Sequence, residues 1–164
     1  MVPADRAPSS VVLVAGGARY AHTNLVARDW RRLATFYLTV FDCEYEGPER
    51  DLGGTWLESL TGLAGARLEG VHLRLPGHGS GGPTLEIFTY TEIQEAPVPL
   101  PNRAGFGHIA FRVDDVALVL TSILDNGGEI LGGPVRTSVA GAGELEVAYA
   151  RDPEGNIIEV QRWQ

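Results

Sequence analysis

The sequence contains no lysine and a single cysteine, and it has no long apolar run. One cysteine, Cys43, excludes an intrachain disulfide framework and a metal site built from several thiolates, and it favours a reducing, cytoplasmic setting. No stretch has the length that a bilayer-spanning helix needs. A net charge of −8, without a basic stripe interleaved with aromatic residues, argues against nucleic acid as a partner. We therefore expect neither a membrane nor a nucleic acid as partner.

The length of 164 residues and a hydrophobic fraction of 44% suit one compact domain or two small modules that share a core. Residues 1–18 are expected to form a flexible leader. Their apolar run, Val11 to Val14, is too short for the core of a signal peptide and at most adds an edge strand.

Two stretches of the chain repeat one pattern. The run Gly-Phe-Gly-His-Ile-Ala-Phe-Arg-Val-Asp-Asp at 105–115 alternates polar and apolar positions as a half-buried strand does, and a helical pattern follows it. The run Tyr-Ala-His-Thr-Asn-Leu-Val-Ala-Arg-Asp at 20–29 has the same form, with His22 in the place of His108. Asp29 and the Asp114-Asp115 pair are expected to cap the helices that follow. The repetition predicts an internal duplication.

The duplication extends to the order of the predicted elements, which is β-α-β-β-β in each half. In the first half the helix ends near Phe41, and residues 56–60 suggest an extra helical turn. The predicted strands cover residues 20–26, 43–46, 71–75, 84–90, 106–113, 129–131, 145–150 and 157–163. Prolines in 91–104 favour an extended linker. The predicted organisation is a leader at 1–18, a first module at 19–90, a linker at 91–104 and a second module at 105–164.

Four side chains occupy matching places in the two halves. His22 and His108 lie on the first strands, and Glu86 and Glu159 lie on the last. Each glutamate is flanked by aliphatic residues, so alternation turns its carboxylate away from the core. Two imidazoles and two carboxylates form a ligand set for a divalent cation, whose charge the carboxylates neutralise. Each residue alone is most simply a solvated strand residue. The four together favour a metal site.

Other polar and aromatic residues are candidates for the surroundings of this site. His72 shares a strand face with Arg74, and the sequence leaves open whether that face lines a cavity or meets solvent. His78 lies in a Gly/Pro turn and is expected to be solvated. Strand parity makes six further residues candidates for the cavity or its rim: Phe88, Tyr90, Phe106, Arg112, Tyr149 and Trp163.

Over residues 19–163 the chain resembles the vicinal-oxygen-chelate superfamily, which includes glyoxalase I, methylmalonyl-CoA epimerase, extradiol dioxygenases and the bleomycin- and fosfomycin-resistance proteins. The resemblance is carried by the paired histidine strands, the run at 105–115, and Arg-Asp-Pro-Glu-Gly-Asn-Ile-Ile-Glu-Val at 151–160. It implies an α+β fold of two βαβββ modules whose curved mixed sheets enclose a metal cavity. It also implies that His22, Glu86, His108 and Glu159 are the metal ligands, and that the protein is a homodimer.

Position 86 distinguishes the branches of this superfamily. Bacterial glyoxalase I is similar to this chain in having Glu there, which matches all four ligand positions. Methylmalonyl-CoA epimerases usually have Gln at that place. Extradiol dioxygenases and fosfomycin-resistance enzymes have a ligand set of two His and one Glu. By resemblance, the matching residues here are His22, His108 and Glu159, and position 86 would not bind the metal. Bleomycin-resistance proteins lack the ligand set. Residues 47–70 match no glyoxalase pattern, and the sequence shows no glutathione-binding constellation.

The resemblance leaves three functions open. The first is a metal-dependent isomerase, lyase or epimerase that removes a proton beside a metal-chelated carbonyl of a small molecule with vicinal oxygens. In it Glu159 carries the proton, Glu86 is the opposing acid or base, and His72 is a further candidate. The metal would be nickel, cobalt, zinc, manganese or magnesium. The second is an Fe(II) dioxygenase with three protein ligands. The third is a non-catalytic protein that binds a drug-like small molecule.

Overall fold

The structure is a computed structural model that describes residues 17–164. The predicted edge strand at 11–14 lies outside these residues, as does the predicted leader at 1–18 except for its last two residues. The first half of the described chain contains five strands and two helices: β1 (His22–Val26), α1 (Trp30–Phe41), β2 (Glu44–Tyr45), β3 (Arg50–Gly53), α2 (Thr55–Thr61), β4 (Arg67–Arg74) and β5 (Thr84–Tyr90).

The second half contains five strands and one helix. They are β6 (Ile109–Arg112), α3 (Val116–Asp125), β7 (Glu129–Ile130), β8 (Val135–Val139), β9 (Gly143–Arg151) and β10 (Ile157–Trp163). Residues 91–108, between the two halves, contain no helix or strand.

Each long helix begins at the aspartate that the sequence marks as a cap. The Asp29 carboxylate accepts a hydrogen bond from the backbone N–H of Arg32 at 3.0 Å, and Asp115 accepts one from Leu118 at 2.9 Å. These bonds satisfy N–H groups that have no partner within the helix. α1 ends at Asp42, whose left-handed backbone lets its N–H bond to the carbonyl of Tyr37. The chain thus turns back sharply toward the sheet.

The two halves form two five-stranded mixed sheets with the same topology. In the first the order is β1-β5-β4-β2, with β3 also paired to β4, and in the second it is β6-β10-β9-β7, with β8 paired to β9. The first and last strands of each half are parallel neighbours, and the remaining pairs are antiparallel. This confirms the predicted α+β class and the duplication. The sheets are separate and do not close around a common cavity within the described chain.

Two strands and the bounds of several others differ from the prediction. β3 and β8 were not expected, because β3 ends in Gly53, Pro134 precedes β8, and neither segment alternates clearly. β6 begins at Ile109, so His108 immediately precedes the strand instead of lying within it. α2 does contain the predicted helical turn, and Gly62 caps it in the left-handed conformation. β4 starts four residues earlier than predicted, at Arg67.

One core joins the two halves through their helices. It contains buried residues of α1, α3 and both sheets. Phe41 stacks on Phe111 with ring centroids 4.0 Å apart, and the Tyr37 hydroxyl donates to the buried Asp152 carboxylate at 3.0 Å. A smaller cluster lies under α2: Leu57, Ala66, Leu68 and Phe88. None of the described helices has the length and apolarity to cross a membrane.

Candidate active site

The first half of the site lies on neighbouring parallel strands. Nε2 of His22, just at the start of β1, is 3.2 Å from Oε2 of Glu86 on β5. Leu85 and Ile87 are completely buried, so strand alternation turns the carboxylate of Glu86 to the opposite face. The placement of this pair is the one that the alternation predicts.

His72 completes a cluster around Glu86. It lies opposite Glu86 in the β4–β5 register, and its Nε2 is 3.2 Å from Oε1 of Glu86. Its Nδ1 lies 3.2 Å from the hydroxyl of Thr84, and the side-chain amide of Asn24 donates to Oε2 of Glu86 at 3.4 Å. Burial lowers the pKa of His72, and the charge of Glu86 opposes this shift. His72 therefore faces the cavity and not the solvent.

The second half of the site repeats the pair on the equivalent elements. Nε2 of His108 is 3.4 Å from Oε2 of Glu159 on β10. Ile158 and Val160 are completely buried on either side. Tyr149 of β9 lies opposite Glu159 in register, at the place that His72 has in the first half, and its ring is 5.1 Å from that of His108. Burial and a hydrogen bond with Glu159 raise the pKa of Tyr149.

The structure brings the four predicted ligands together as two pairs and not as one group. Within residues 17–164, no three His, Cys, Asp or Glu side chains are arranged to hold a metal ion. His22 and Glu86 line one cavity, and Glu159 lines another that shares no residue with it. One chain alone therefore presents one His–Glu pair at each of two places.

The cavity of the first half has a volume of about 320 Å³ and lies between the sheet and α2. Beside the polar cluster it is bordered by Phe88 and Tyr90, as predicted, and by Trp56 and Leu60 of α2. The cavity of the second half has a volume of about 480 Å³ and contains the predicted Tyr149. Three predicted residues, Phe106, Arg112 and Trp163, line neither of the two cavities.

Several residues of the site were missed from the sequence. Asn24 shares a strand face with His22, so parity alone pointed to it. Trp56 and Leu60 gave no such signal, because nothing in the segment 47–66 shows that α2 lies over the sheet. The same holds for Leu131 and Val135, which reach the second cavity from β7–β8.

A family model matches residues 19–160, and its description is the glyoxalase/bleomycin resistance protein/dioxygenase superfamily. The chain belongs to this superfamily. This is the same superfamily that the repeated histidine strands and the run at 151–160 resemble. The superfamily includes enzymes such as glyoxalase I. No curated protein sequence matches the chain.

Solved structures of the superfamily share the fold at low sequence identity. A glyoxalase family protein from Bacillus cereus superposes with a TM-score of 0.78 at 19% identity, over 92% of this chain and 99% of that one. Glyoxalase I from Zea mays superposes with a TM-score of 0.60 at 23% identity, over 87% of this chain but 44% of the maize protein. An enzyme of the superfamily from Burkholderia phytofirmans PsJN gives 0.56 at 16% identity, over 90% and 100%. At these sequence identities, the structural similarity shows a shared fold only.

Proposed function

We propose that the protein is a divalent-metal-dependent enzyme that isomerises, cleaves or epimerises a small molecule by proton abstraction beside a carbonyl. The observation that carries the proposal is the repetition of a His–Glu pair on equivalent strands: His22 with Glu86, and His108 with Glu159. Members of the superfamily commonly use a divalent metal. The paired side chains supply the nitrogen and oxygen donors that nickel, cobalt, zinc or manganese accept.

The complete ligand set requires a second copy of the chain. His22 and Glu86 line the first cavity and Glu159 lines the second, and in the described part of the chain β1 and β6 are both outer strands of their sheets. His22 and His108 lie at these two outer strands. We propose a homodimer in which His22 and Glu86 of one copy face His108 and Glu159 of the other. Such a set has two imidazoles for affinity and two carboxylates that neutralise a divalent cation.

The metal would act as a Lewis acid that polarises the substrate carbonyl and so acidifies the neighbouring C–H. The glutamates move the proton. Glu159 accepts it from the substrate carbon, and Glu86 on the opposing half of the site returns it or takes it from the other face. His72 and Asn24 contact both oxygens of Glu86 and so orient its carboxylate. The Tyr149 hydroxyl orients Glu159 in the same way.

A second candidate, an Fe(II) dioxygenase, is supported by the contacts of Glu86. His72 and Asn24 already satisfy this carboxylate, so a three-ligand set of His22, His108 and Glu159 would leave it stable outside the metal sphere. Oxygen uptake by the iron-loaded protein in the presence of a catechol would favour this candidate. Proton exchange with zinc or nickel in the absence of oxygen would favour the first.

The shared site can be tested by complementation between two variants. His22→Ala and His108→Ala homodimers each lose one ligand at every site, and we expect their metal affinity to fall by more than about 100-fold. A purified heterodimer of the two variants contains one site without either histidine and one intact site. It should therefore bind one metal ion per dimer, measured by mass spectrometry of metals after gel filtration.

The fourth histidine provides the control. His78 is exposed in the turn between β4 and β5, so His78→Ala should keep the full metal content. A heterodimer that fails to recover metal would contradict the site shared between copies. A wild-type protein that stays free of metal after saturation would contradict the whole proposal.

A further inference from the structure

The second cavity is apolar around its glutamate. Its walls are formed by Pro101 and by aliphatic side chains of the strands and of the turn before β8, together with Tyr149. Glu159 is the only charged residue among those that line it: Pro101, Leu131, Gly132, Gly133, Val135, Leu145, Val147, Ala148, Tyr149 and Glu159. A ligand that extends from the glutamate into this cavity therefore meets hydrocarbon.

The first cavity is also mainly apolar, and more of its wall is aromatic. Trp56, Phe88 and Tyr90 line it together with Leu52, Leu57, Leu60 and Leu68. Its polar residues are Thr61 and the cluster already described around Glu86. Among residues 17–164 no arginine lines either cavity, and the sequence has no lysine.

Several of the twelve arginines in residues 17–164 are engaged elsewhere. Five form ion pairs with carboxylates: Arg28, Arg31, Arg67, Arg74 and Arg136. Arg50 contributes through its charge to the lowered pKa of His72. Its guanidinium lies beside the turn at Gly47 and not in the cavity wall.

We infer that the substrate is an uncharged molecule whose two vicinal oxygens are carried on an apolar, aromatic or branched aliphatic skeleton. This inference rests on the proposed function and narrows its substrate class. A carboxylate or phosphate held in either cavity away from the metal would have no cationic side chain from residues 17–164 among the lining residues as a partner, and an unpaired buried charge is costly. An anionic thiol conjugate such as one of glutathione is therefore disfavoured. The volumes of about 320 and 480 Å³ suit a drug-sized molecule.

Two matched chelators test the inference. Both 4-tert-butylcatechol and 3,4-dihydroxybenzoate carry vicinal oxygens, but the first ends in a hydrocarbon group and the second in a carboxylate. Titration calorimetry with the zinc-loaded protein should show at least about tenfold tighter binding of the butylcatechol. The preference should persist between about 0.15 and 0.5 M sodium chloride, because it arises from the cavity walls and not from the long-range field of the net charge.

Three variants link this preference to the cavities. Leu60→Arg places a cation at the first cavity and Val135→Arg places one at the second, and both side chains are more than half exposed. Either variant should reduce the preference to less than about threefold by binding the benzoate more tightly. The control is Leu118→Arg on α3, an equally exposed leucine that lines neither cavity, which should keep the wild-type ratio.

The outcomes separate the two proposals. If the protein takes up zinc but binds 3,4-dihydroxybenzoate as tightly as 4-tert-butylcatechol, or loses the preference at high salt, the substrate inference is wrong and the metal site stands. If it takes up none of zinc, nickel, cobalt and manganese, the proposed function is wrong and the substrate inference falls with it.

Discussion

Glu86 of the first module and Glu159 of the second have the same place in their sheets, but their surroundings differ. Glu86 lies against two imidazoles, His22 and His72, whereas Glu159 lies against one imidazole and the phenol of Tyr149. The duplication has kept the His–Glu pair and has changed the third residue.

The modules also differ in what covers the glutamate. In the first, α2 lies over the sheet, and Gly70 allows the ring of Phe88 to approach the backbone of β4. In the second, the equivalent residues are Val147 and Gln161, and β8, the counterpart of β3, is followed directly by β9 without a helix. Under the proposed function, the His–Glu pair is the part that both modules contribute to the metal site, and the covering elements shape the site for its substrate.

The largest effect is expected from removing the two carboxylates. Glu159→Gln and Glu86→Gln should each lower the rate of proton exchange by about 10²- to 10⁴-fold, because glutamine cannot carry the proton. Glu159→Gln should have the larger effect, since His72 can partly replace Glu86. The rate is measured by NMR as deuterium uptake beside the carbonyl of 2-hydroxyacetophenone, with the metal-loaded protein.

Glu146→Gln is the matched control for this comparison. Glu146 is a strand glutamate that pairs with Arg136 and lines neither cavity of the site, so its replacement should leave the exchange rate unchanged. Full activity in both site variants would exclude the proposed mechanism, and equal losses would remove the distinction between the two modules.

A smaller effect, on stability, is expected where the two sheets differ. A Cβ at Gly70 would lie 2.0 Å from the carbonyl oxygen of Ile87 and 2.5 Å from the ring of Phe88. Gly70→Ala should therefore lower the free energy of unfolding by about 3 kcal/mol. Val147→Ala, at the equivalent half-buried position, should lower it by about 1 kcal/mol. Denaturant unfolding followed by circular dichroism measures both. Equal losses of unfolding free energy in the two variants would show that the two sheets are packed equally tightly at these positions.

The smallest effect concerns the contact between the modules. Tyr37 of α1 donates to the buried Asp152 carboxylate, whereas the corresponding residue of α3 is the apolar Ile123. Tyr37→Phe should cost about 1–2 kcal/mol of unfolding free energy, because one partner of a buried carboxylate is lost. Ile123→Val, which removes no polar contact, should cost about 1 kcal/mol at every pH.

The cost of Tyr37→Phe should depend on pH. Burial raises the pKa of Asp152, and hydrogen bonds from Asn156, Tyr37 and Glu154 oppose this shift. Because the folded pKa lies above the unfolded one, stability due to this group is present at low pH and is lost as the pH rises through the folded pKa. Without the Tyr37 hydroxyl, the charged carboxylate of Asp152 accepts one hydrogen bond fewer. The variant should therefore lose more stability at neutral than at acidic pH. A pH-independent loss would contradict this role of the hydroxyl.

The sequence predicted the parts of the fold that depend on local pattern. The caps at Asp29 and Asp115, the helix to Phe41 and the strand at 84–90 follow from side-chain chemistry and periodicity, and the structure confirms them. β3 and β8 escaped prediction because their pairing with β4 and β9 is decided by the neighbouring strand and not by their own residues.

For the site, the sequence by itself determined which side chains share a face. Alternation with a period of two places Glu86 and Glu159 opposite their buried neighbours, and the duplication matches each with a histidine. Tertiary structure decided which faces meet. The register of β4 against β5 brings His72 to Glu86, and the packing of α1 on the second module leaves the His22–Glu86 pair and Glu159 at separate cavities. These contacts join residues far apart in the chain, so no local pattern could specify them.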